Sequence, residues 1–243
     1  MLAAVFPVGI VAGFFGSMVG GGSLLSIPFL IFLGLPPQVA IATDRFGGMG
    51  AATSALIKFW KAKKVVWKYV LPLSVVSLVG SLIGANILLN LDTEALQNIA
   101  GVLLLMLLPF VFLKRNIGIQ RNKTGLLLMG IGLVLYFLIQ IFTGFFGAGT
   151  GVFIFYILML CFGLTITEAV ATQSIPLLVL SISSLALFAL HGIIDYEIGI
   201  VLLAGMALGG YIGAHFALKK GNKWIKGLFA VIVIISGIKL LFF

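Results

Sequence analysis

Two short polar runs stand within otherwise apolar segments, and both carry groups that can bind an anion. An arginine guanidinium offers an oxyanion a planar fork of donors, and hydroxyl and amide groups add further hydrogen bonds. Charged side chains inside a membrane segment are costly, so they indicate function. The alternative is that Asp44 and Arg45 neutralise one another or reach the lipid headgroups. We predict a substrate site that includes Thr43, Asp44 and Arg45 from the first run and Thr172, Gln173 and Ser174 from the second.

Two glycine-rich clusters, "GFFGSMVGGGS" and "GFFGAGTG", precede these runs, and a short apolar segment follows each cluster. The first N–H groups of a helix lack intrahelical partners and carry the positive end of the helix dipole. Glycine lets a ligand approach such backbone closely, and two converging helix starts form the geometry of an anion site. We predict that the clusters contribute Gly20, Gly21, Gly22 and Ser23 and also Gly149, Thr150 and Gly151.

Glycines can instead serve only to let two helices pack closely in a membrane. Three consecutive glycines are not what a packing motif requires, so for the triplet at residues 20–22 we favour ligand binding. Other glycines are spaced four residues apart within apolar segments, and for these we favour packing. They are Gly80, Gly84, Gly209 and Gly213.

The composition is that of an integral membrane protein. Of the 243 residues, 62% are hydrophobic and 9% are charged, whereas a soluble domain carries about 25% charged residues. A polar linker at residues 114–124 separates two sets of five apolar segments. The second segment of each set is too short to cross a hydrocarbon core of about 30 Å, so we predict half-helices. The segments are Met1–Met18, Ser23–Leu35, Val39–Trp60, Val65–Leu89, Ala95–Leu113, Gly125–Ala148, Val152–Leu164, Glu168–Leu190, Asp195–Leu218 and Trp224–Phe243.

The two halves of the chain are a sequence repeat. A shift of 129 positions aligns Gly20 with Gly149 and Thr43 with Thr172, and it aligns the packing glycines of the two halves as well. Internal repeats of this kind are common in transporters. We therefore predict a first repeat at residues 1–113, the linker at 114–124 and a second repeat at 125–243.

The charges of the loops indicate that the repeats are inverted. Basic loops around Lys63, Arg121 and Lys219 are expected in the cytoplasm by the positive-inside rule, and acidic turns at Asp92 and Asp195 outside it. Equivalent loops then lie on opposite faces, which requires an odd number of crossings per repeat and puts both termini outside the cytoplasm. If each short segment only dipped into the membrane and returned to the same face, Asp195 would lie inside and the lysines of the second half outside. The positive-inside rule rejects that arrangement.

The glycine clusters, the prolines after the first short segment and the sequences "ATDR" and "ATQS" resemble the sulfite exporter TauE/SafE family over essentially the whole chain. This resemblance implies a multi-pass carrier in the bacterial or archaeal inner (plasma) membrane for small sulfur-containing anions such as sulfite, sulfonates or sulfoacetate. The family includes both exporters and uptake permeases. The second cluster departs from symmetry, with Gly-Thr-Gly where the first has three glycines.

We therefore predict an all-α membrane protein with two inverted repeats of five helical segments, whose half-helices meet near the midplane. It is expected to be a secondary transporter, with export as the direction; an anion channel and an uptake permease are the alternatives. An enzyme would need a nucleophile with a base or a metal set, and two histidines with Cys161 supply neither.

No cofactor or metal site is expected, and the P-loop pattern for ATP is missing from the sequence. The expected partners are a small anionic substrate and membrane lipid, with no nucleic acid. The sequence leaves the oligomeric state open between a monomer and a homodimer.

Overall fold

The computed structural model describes residues 2–91 and 118–242, without the side chains of residues 222, 223 and 225–242. The described residues form eight helices and no strand, so the all-α prediction holds for them; the predicted segment Ala95–Leu113 lies outside them. The helices are α1 Leu2–Val19, α2 Ser23–Phe32, α3 Pro37–Lys61, α4 Trp67–Asn90, α5 Leu126–Phe145, α6 Thr150–Cys161, α7 Ile166–Leu190 and α8 Tyr196–Phe242.

Local sequence explains several helix boundaries. Pro37 occupies the first turn of α3, where its missing N–H costs nothing. Thr165 and Glu168 form a capping box at the start of α7. Gly221 interrupts α8 with φ 78° and ψ 178°, between the two segments that were predicted there. Five helices are long and apolar enough to cross a membrane, namely α1, α4, α5, α7 and the part of α8 up to Gly221.

The half-helix prediction is confirmed by α2, with 10 residues, and α6, with 12. At a rise of 1.5 Å per residue they span about 15 Å and about 18 Å, roughly half of a hydrocarbon core. The end of α2 returns to the start of α1, because Leu30 and Leu35 share a buried cluster with Val5 and with Ile198 of α8. α1 and α2 therefore form a helical hairpin, in which α2 leads the chain back to the end where α1 begins.

The second hairpin, α5 and α6, is built in the same way from the other half of the chain. A Cβ added at Gly132 of α5 would lie 2.5 Å from Cβ of Cys161, the last residue of α6. Beyond α6, the Gly163 carbonyl accepts a hydrogen bond of 3.0 Å from Asn122 N, just before α5. Each hairpin therefore begins and ends at the same end of the molecule, an arrangement that the sequence analysis, which considered the short segment alone, did not describe.

Two equivalent hydrogen bonds give the relative direction of α3 and α7. Thr43, near the start of α3, accepts from Asp195 N after the end of α7 at 3.0 Å. Thr172, near the start of α7, accepts from Val66 N after the end of α3 at 3.0 Å. The two helices are therefore antiparallel, and each has 25 residues, or about 37 Å. The α3–α4 and α7–α8 loops consequently lie at opposite ends of this pair.

These two ends differ in charge. At the end that we call the basic end, the α3–α4 loop carries Lys63 and Lys64, and Arg121 pairs with Glu168 at 3.1 Å beside the start of α7. At the opposite end, the acidic end, lie Asp195 and the starts of α1, α3 and α8. Lys63 and Arg121 thus share one end, as the loop charges predicted, and Asp195 lies at the other.

Small residues bring the helices of the two halves together. A Cβ added at Gly84 of α4 would overlap the carbonyl oxygen of Ile141 in α5, and one added at Gly209 of α8 would overlap the carbonyl oxygen of Ile10 in α1. Gly80 and Gly213 are equally crowded by the neighbouring helix. This confirms the packing role predicted for these glycines. The same sequence repeat therefore packs α4 on α5 and α8 on α1.

The prediction is that Gly84→Ala destabilises the protein while Gly130→Ala does not. A methyl group at Gly84 must push α4 away from α5, at a cost of about 1–3 kcal/mol. Gly130 lies in the same packing pair, on α5, but a Cβ there meets nothing within 4 Å, and alanine is the better helix former. Thermal unfolding of the two purified variants in detergent measures this, and equal melting temperatures would contradict it.

Candidate functional site

A cavity of about 120 Å³ lies where the two hairpins meet α3 and α7. It brings together residues from both glycine clusters and both polar runs, although these are separated by more than half of the chain. The predicted site residues that line it are Gly20, Gly22, Ser23, Asp44, Arg45, Thr150, Gly151, Gln173 and Ser174.

The wall of the cavity contains the point where the two hairpins touch. A Cβ on Gly20 would lie 2.5 Å from Cα of Gly151, and a Cβ on Gly151 would overlap Gly20 in turn. The backbone turns sharply before each short helix, with φ 72° at Gly20 and φ 78° at Gly149. Gly20 combines a positive φ with the backbone contact, which only glycine tolerates. At Gly151 the contact alone excludes a side chain. The starts of α2 and α6 therefore face one cavity. Several of their first N–H groups already donate within the turn, as Leu24 N does to the Gly21 carbonyl and Val152 N to the Gly149 carbonyl.

Arg45 forms a hydrogen bond with the end of α5 through one guanidinium nitrogen, and a second nitrogen of the same group has no partner in the described chain. Its Nη2 donates to the carbonyl oxygen of Thr143 in the last turn of α5, where a cation is favoured by the helix dipole. A Cβ at Gly147 would lie 2.7 Å from Nη2, so the absence of a side chain there makes room for the guanidinium. The Nε atom of Arg45 is buried and has no hydrogen-bond partner in the described chain.

Asp44 points to a different neighbour. Its carboxylate is 5% exposed and accepts a hydrogen bond from Ser26 Oγ of α2. Adjacent residues on a helix point about 100° apart, and no ion pair joins Asp44 to Arg45 among the described residues. The two residues thus have different hydrogen-bond partners, Ser26 for Asp44 and Thr143 for Arg45.

Gln173, which is 4% exposed, is oriented by a chain of buried polar groups. Gln140 Nε2 donates to the Tyr136 hydroxyl at 2.6 Å, and this hydroxyl donates to Gln173 Oε1 at 2.7 Å. The arrangement leaves Gln173 Nε2 buried without a partner in the described chain. Ser77 of α4 also bonds to Tyr136, at 3.0 Å. Two unpartnered N–H donors, from Arg45 and Gln173, thus belong to residues that line one cavity.

The sequence analysis did not select Gln140, Tyr136 or Ser77 as site residues. The signal that could have found Tyr136 is its spacing of four residues from Gln140 on an apolar helix, which puts both on one face. Ser77 on α4 offers no comparable signal, because its contact with α5 depends on the packing of two distant segments.

Four predicted residues do not line the cavity: Thr43, Thr172, Gly21 and Gly149. The two threonines are fully buried and cap the loops of the opposite half, through the bonds to Asp195 and Val66 described above. Gly149 provides the turn before α6, and Gly21 is buried beside Gly20. In the described residues no group of three His, Cys, Asp or Glu side chains could hold a metal ion.

Comparison with known proteins gives one family and several relatives. The family model of the sulfite exporter TauE/SafE matches residues 5–240. A "Probable membrane transporter protein" of Haemophilus influenzae is 28% identical over all of this chain and 95% of its own length. YfcA of Escherichia coli is 28% identical over all of this chain and 90% of its own length. YdhB of Bacillus subtilis is 26% identical over all of this chain and 99% of its own length. Both carry the same description, and no solved structure matches significantly.

The prediction from the threonine caps is that Thr43→Val and Thr172→Val each destabilise the protein, whereas Thr43→Ser and Thr172→Ser do not. Valine keeps the shape but leaves the buried N–H of Asp195 or Val66 unpaired, which costs about 1–3 kcal/mol. Serine retains the acceptor oxygen. Denaturation of the four variants in detergent measures the effect. If valine and serine behaved alike at both positions, the hydrogen bonds would not be what these threonines contribute.

Proposed function

This chain belongs to the sulfite exporter TauE/SafE family, and from that premise we propose that it is a secondary transporter that exports small sulfur-containing anions. Sulfite, sulfonates and sulfoacetate are the candidate class. The observation that carries the proposal is the pair of buried, unpartnered donors, Arg45 Nε and Gln173 Nε2. A buried donor without a partner is costly, and an oxyanion can satisfy several donors at once.

The dimensions and dipoles of the cavity agree with a small anion. Its volume of about 120 Å³ is roughly ten times the 10–15 Å³ that a cavity needs, on the same measure, to hold one water molecule. The starts of α2 and α6 direct the positive ends of their dipoles towards this space. A compact oxyanion suits such a site better than a large aromatic molecule does.

We propose alternating access by two inverted repeats around this site. The antiparallel α3 and α7, and the reciprocal packing of α1 on α8 and α5 on α4, support it. Rocking of the two hairpins against their partner helices would expose the cavity to one end and then the other. For an anion that crosses alone, the membrane potential supplies about 2.3 kcal/mol per 100 mV towards the outside, which favours export. A channel would use the same donors but would not saturate at low flux.

The direct test is the affinity of purified protein for sulfite, short sulfonates and carboxylates, measured for wild type and for Arg45→Lys. Lysine retains the charge but loses the planar fork, so we expect the affinity to fall by about tenfold or more, or about 1.4 kcal/mol. Arg121→Lys is the matched control, because Arg121 is 60% exposed and outside the cavity. Equal affinities of both variants and wild type, in folded protein, would contradict the role of Arg45.

The proposed orientation places the basic end in the cytoplasm and both termini outside it. Cysteines introduced at Lys63 and Arg121, in a Cys161→Ala background, are expected to react with an impermeant thiol reagent from the cytoplasmic side. Cysteine at Asp195 is expected to react from the outside, and so is one at Asp92, which lies outside the described residues. Labelling of positions 63 and 195 from one face would rule out this topology.

A further inference from the structure

The buried carboxylate of Asp44 is at odds with an anion site. Asp44 and Arg45 are the only charged residues that line the cavity in the described part of the chain. With both ionised the cavity is neutral, and a bound anion would add a negative charge that nothing balances. A charge buried without compensation is costly, so the anion needs either another cation or a neutral Asp44.

The hydroxyl of Ser26 allows Asp44 to become neutral without losing a hydrogen bond. Ser26 Oγ lies within hydrogen-bonding distance of both the Asp44 carboxyl and the carbonyl oxygen of Gly22, the latter at 3.2 Å. A serine has a single proton to donate. When Asp44 is ionised, Ser26 donates to it; when Asp44 is protonated, it donates to Ser26 Oγ, and Ser26 donates to Gly22. In either state the contact between Asp44 and Ser26 is a hydrogen bond.

The other elements around the cavity bring neutral groups that do not titrate. The hydroxyls are those of Ser17 on α1, Ser23 on α2, Thr143 on α5, Thr150 on α6 and Ser174 and Ser181 on α7; the other groups are the amide of Gln173 and the thioether of Met206 on α8. Arg45 is the charged neighbour on the same helix. Gln173 occupies the position equivalent to Asp44 in the second half, and an amide cannot take up a proton. The cavity therefore contains one group that can change its charge.

We propose that Asp44 is a proton site and that one proton binds to it with each anion. This inference rests on the proposed function. The proton is taken from water on the side where the anion enters and is released to water with the anion on the other side. A monoanion and its proton cross as a neutral pair, so the membrane potential does no work on them. Direction then follows the sum of the anion and proton gradients.

The test uses the full chain in detergent and methanesulfonate, a monoanion whose own charge does not change in the range studied. Proton uptake is followed with an indicator dye in weak buffer, and affinity is measured from about pH 5 to about pH 8. Because the anion-bound protein holds the extra proton, affinity should rise as the pH falls, by up to about tenfold per pH unit, with close to one proton bound per anion at the alkaline end.

Asp44→Asn mimics the protonated state, so it should bind methanesulfonate with less than about threefold variation over this range and without proton uptake. Asp195→Asn is the matched control. Asp195 caps α8 through Ile198 N at 3.0 Å, outside the cavity, so this variant should keep the wild-type pH dependence. Ser26→Ala removes the donor to the ionised carboxyl and should move the midpoint of the pH dependence to higher pH.

The outcomes separate the two proposals. Methanesulfonate binding by wild type without proton uptake, or an unchanged pH dependence in Asp44→Asn and an unchanged midpoint in Ser26→Ala, overturns the proton site and leaves the anion site standing. Failure of wild type and Asp44→Asn to bind sulfite, methanesulfonate or any short carboxylate at any pH overturns the proposed function and the proton site with it.

Discussion

The backbone contact between Gly20 and Gly151 is the constraint on which the rest of the structure depends. The helical structure is interrupted in the interior of the protein between α1 and α2 and between α5 and α6. Backbone polar groups at such an interruption are tolerated in a membrane only where protein or a polar cavity covers them. Here each break covers the other, and a side chain on either glycine would separate them. The cavity lies beside this contact and is bounded by both hairpins and by α3 and α7.

The close packing of helices on the outside follows from the same requirement. Each hairpin enters from one end and returns to it, so it needs long helices to hold it at the correct depth. α1 is held by α8, and α5 by α4, through glycines that let the backbones approach. The hydrophobic effect does not drive helices together in lipid. Their association therefore depends on this close backbone packing and on the buried hydrogen bonds between helices. The cavity is therefore positioned by residues from both halves.

The two halves of the chain differ in chemistry at the cavity. Asp44 and Gln173 occupy the same place in the sequence repeat, yet one is an acid bonded to Ser26 and the other an amide bonded to Tyr136. Arg45 corresponds to Ser174, which bonds to the Val170 carbonyl of its own helix. Among the described residues, only the first half therefore supplies charged groups to the cavity.

Sequence alone was sufficient for the membrane class, the sequence repeat, the short α2 and α6, the packing glycines and nine of the residues that line the cavity. These follow from composition, length and spacing, which are local properties of the chain. Tertiary structure decided that Asp44 contacts the cavity while the adjacent Thr43 caps a distant loop, that Arg45 turns to Thr143 and not to Asp44, and that Tyr136 orients Gln173. Neighbouring residues on a helix point about 100° apart, and which of them faces a cavity depends on how that helix is rotated against segments far away in the sequence.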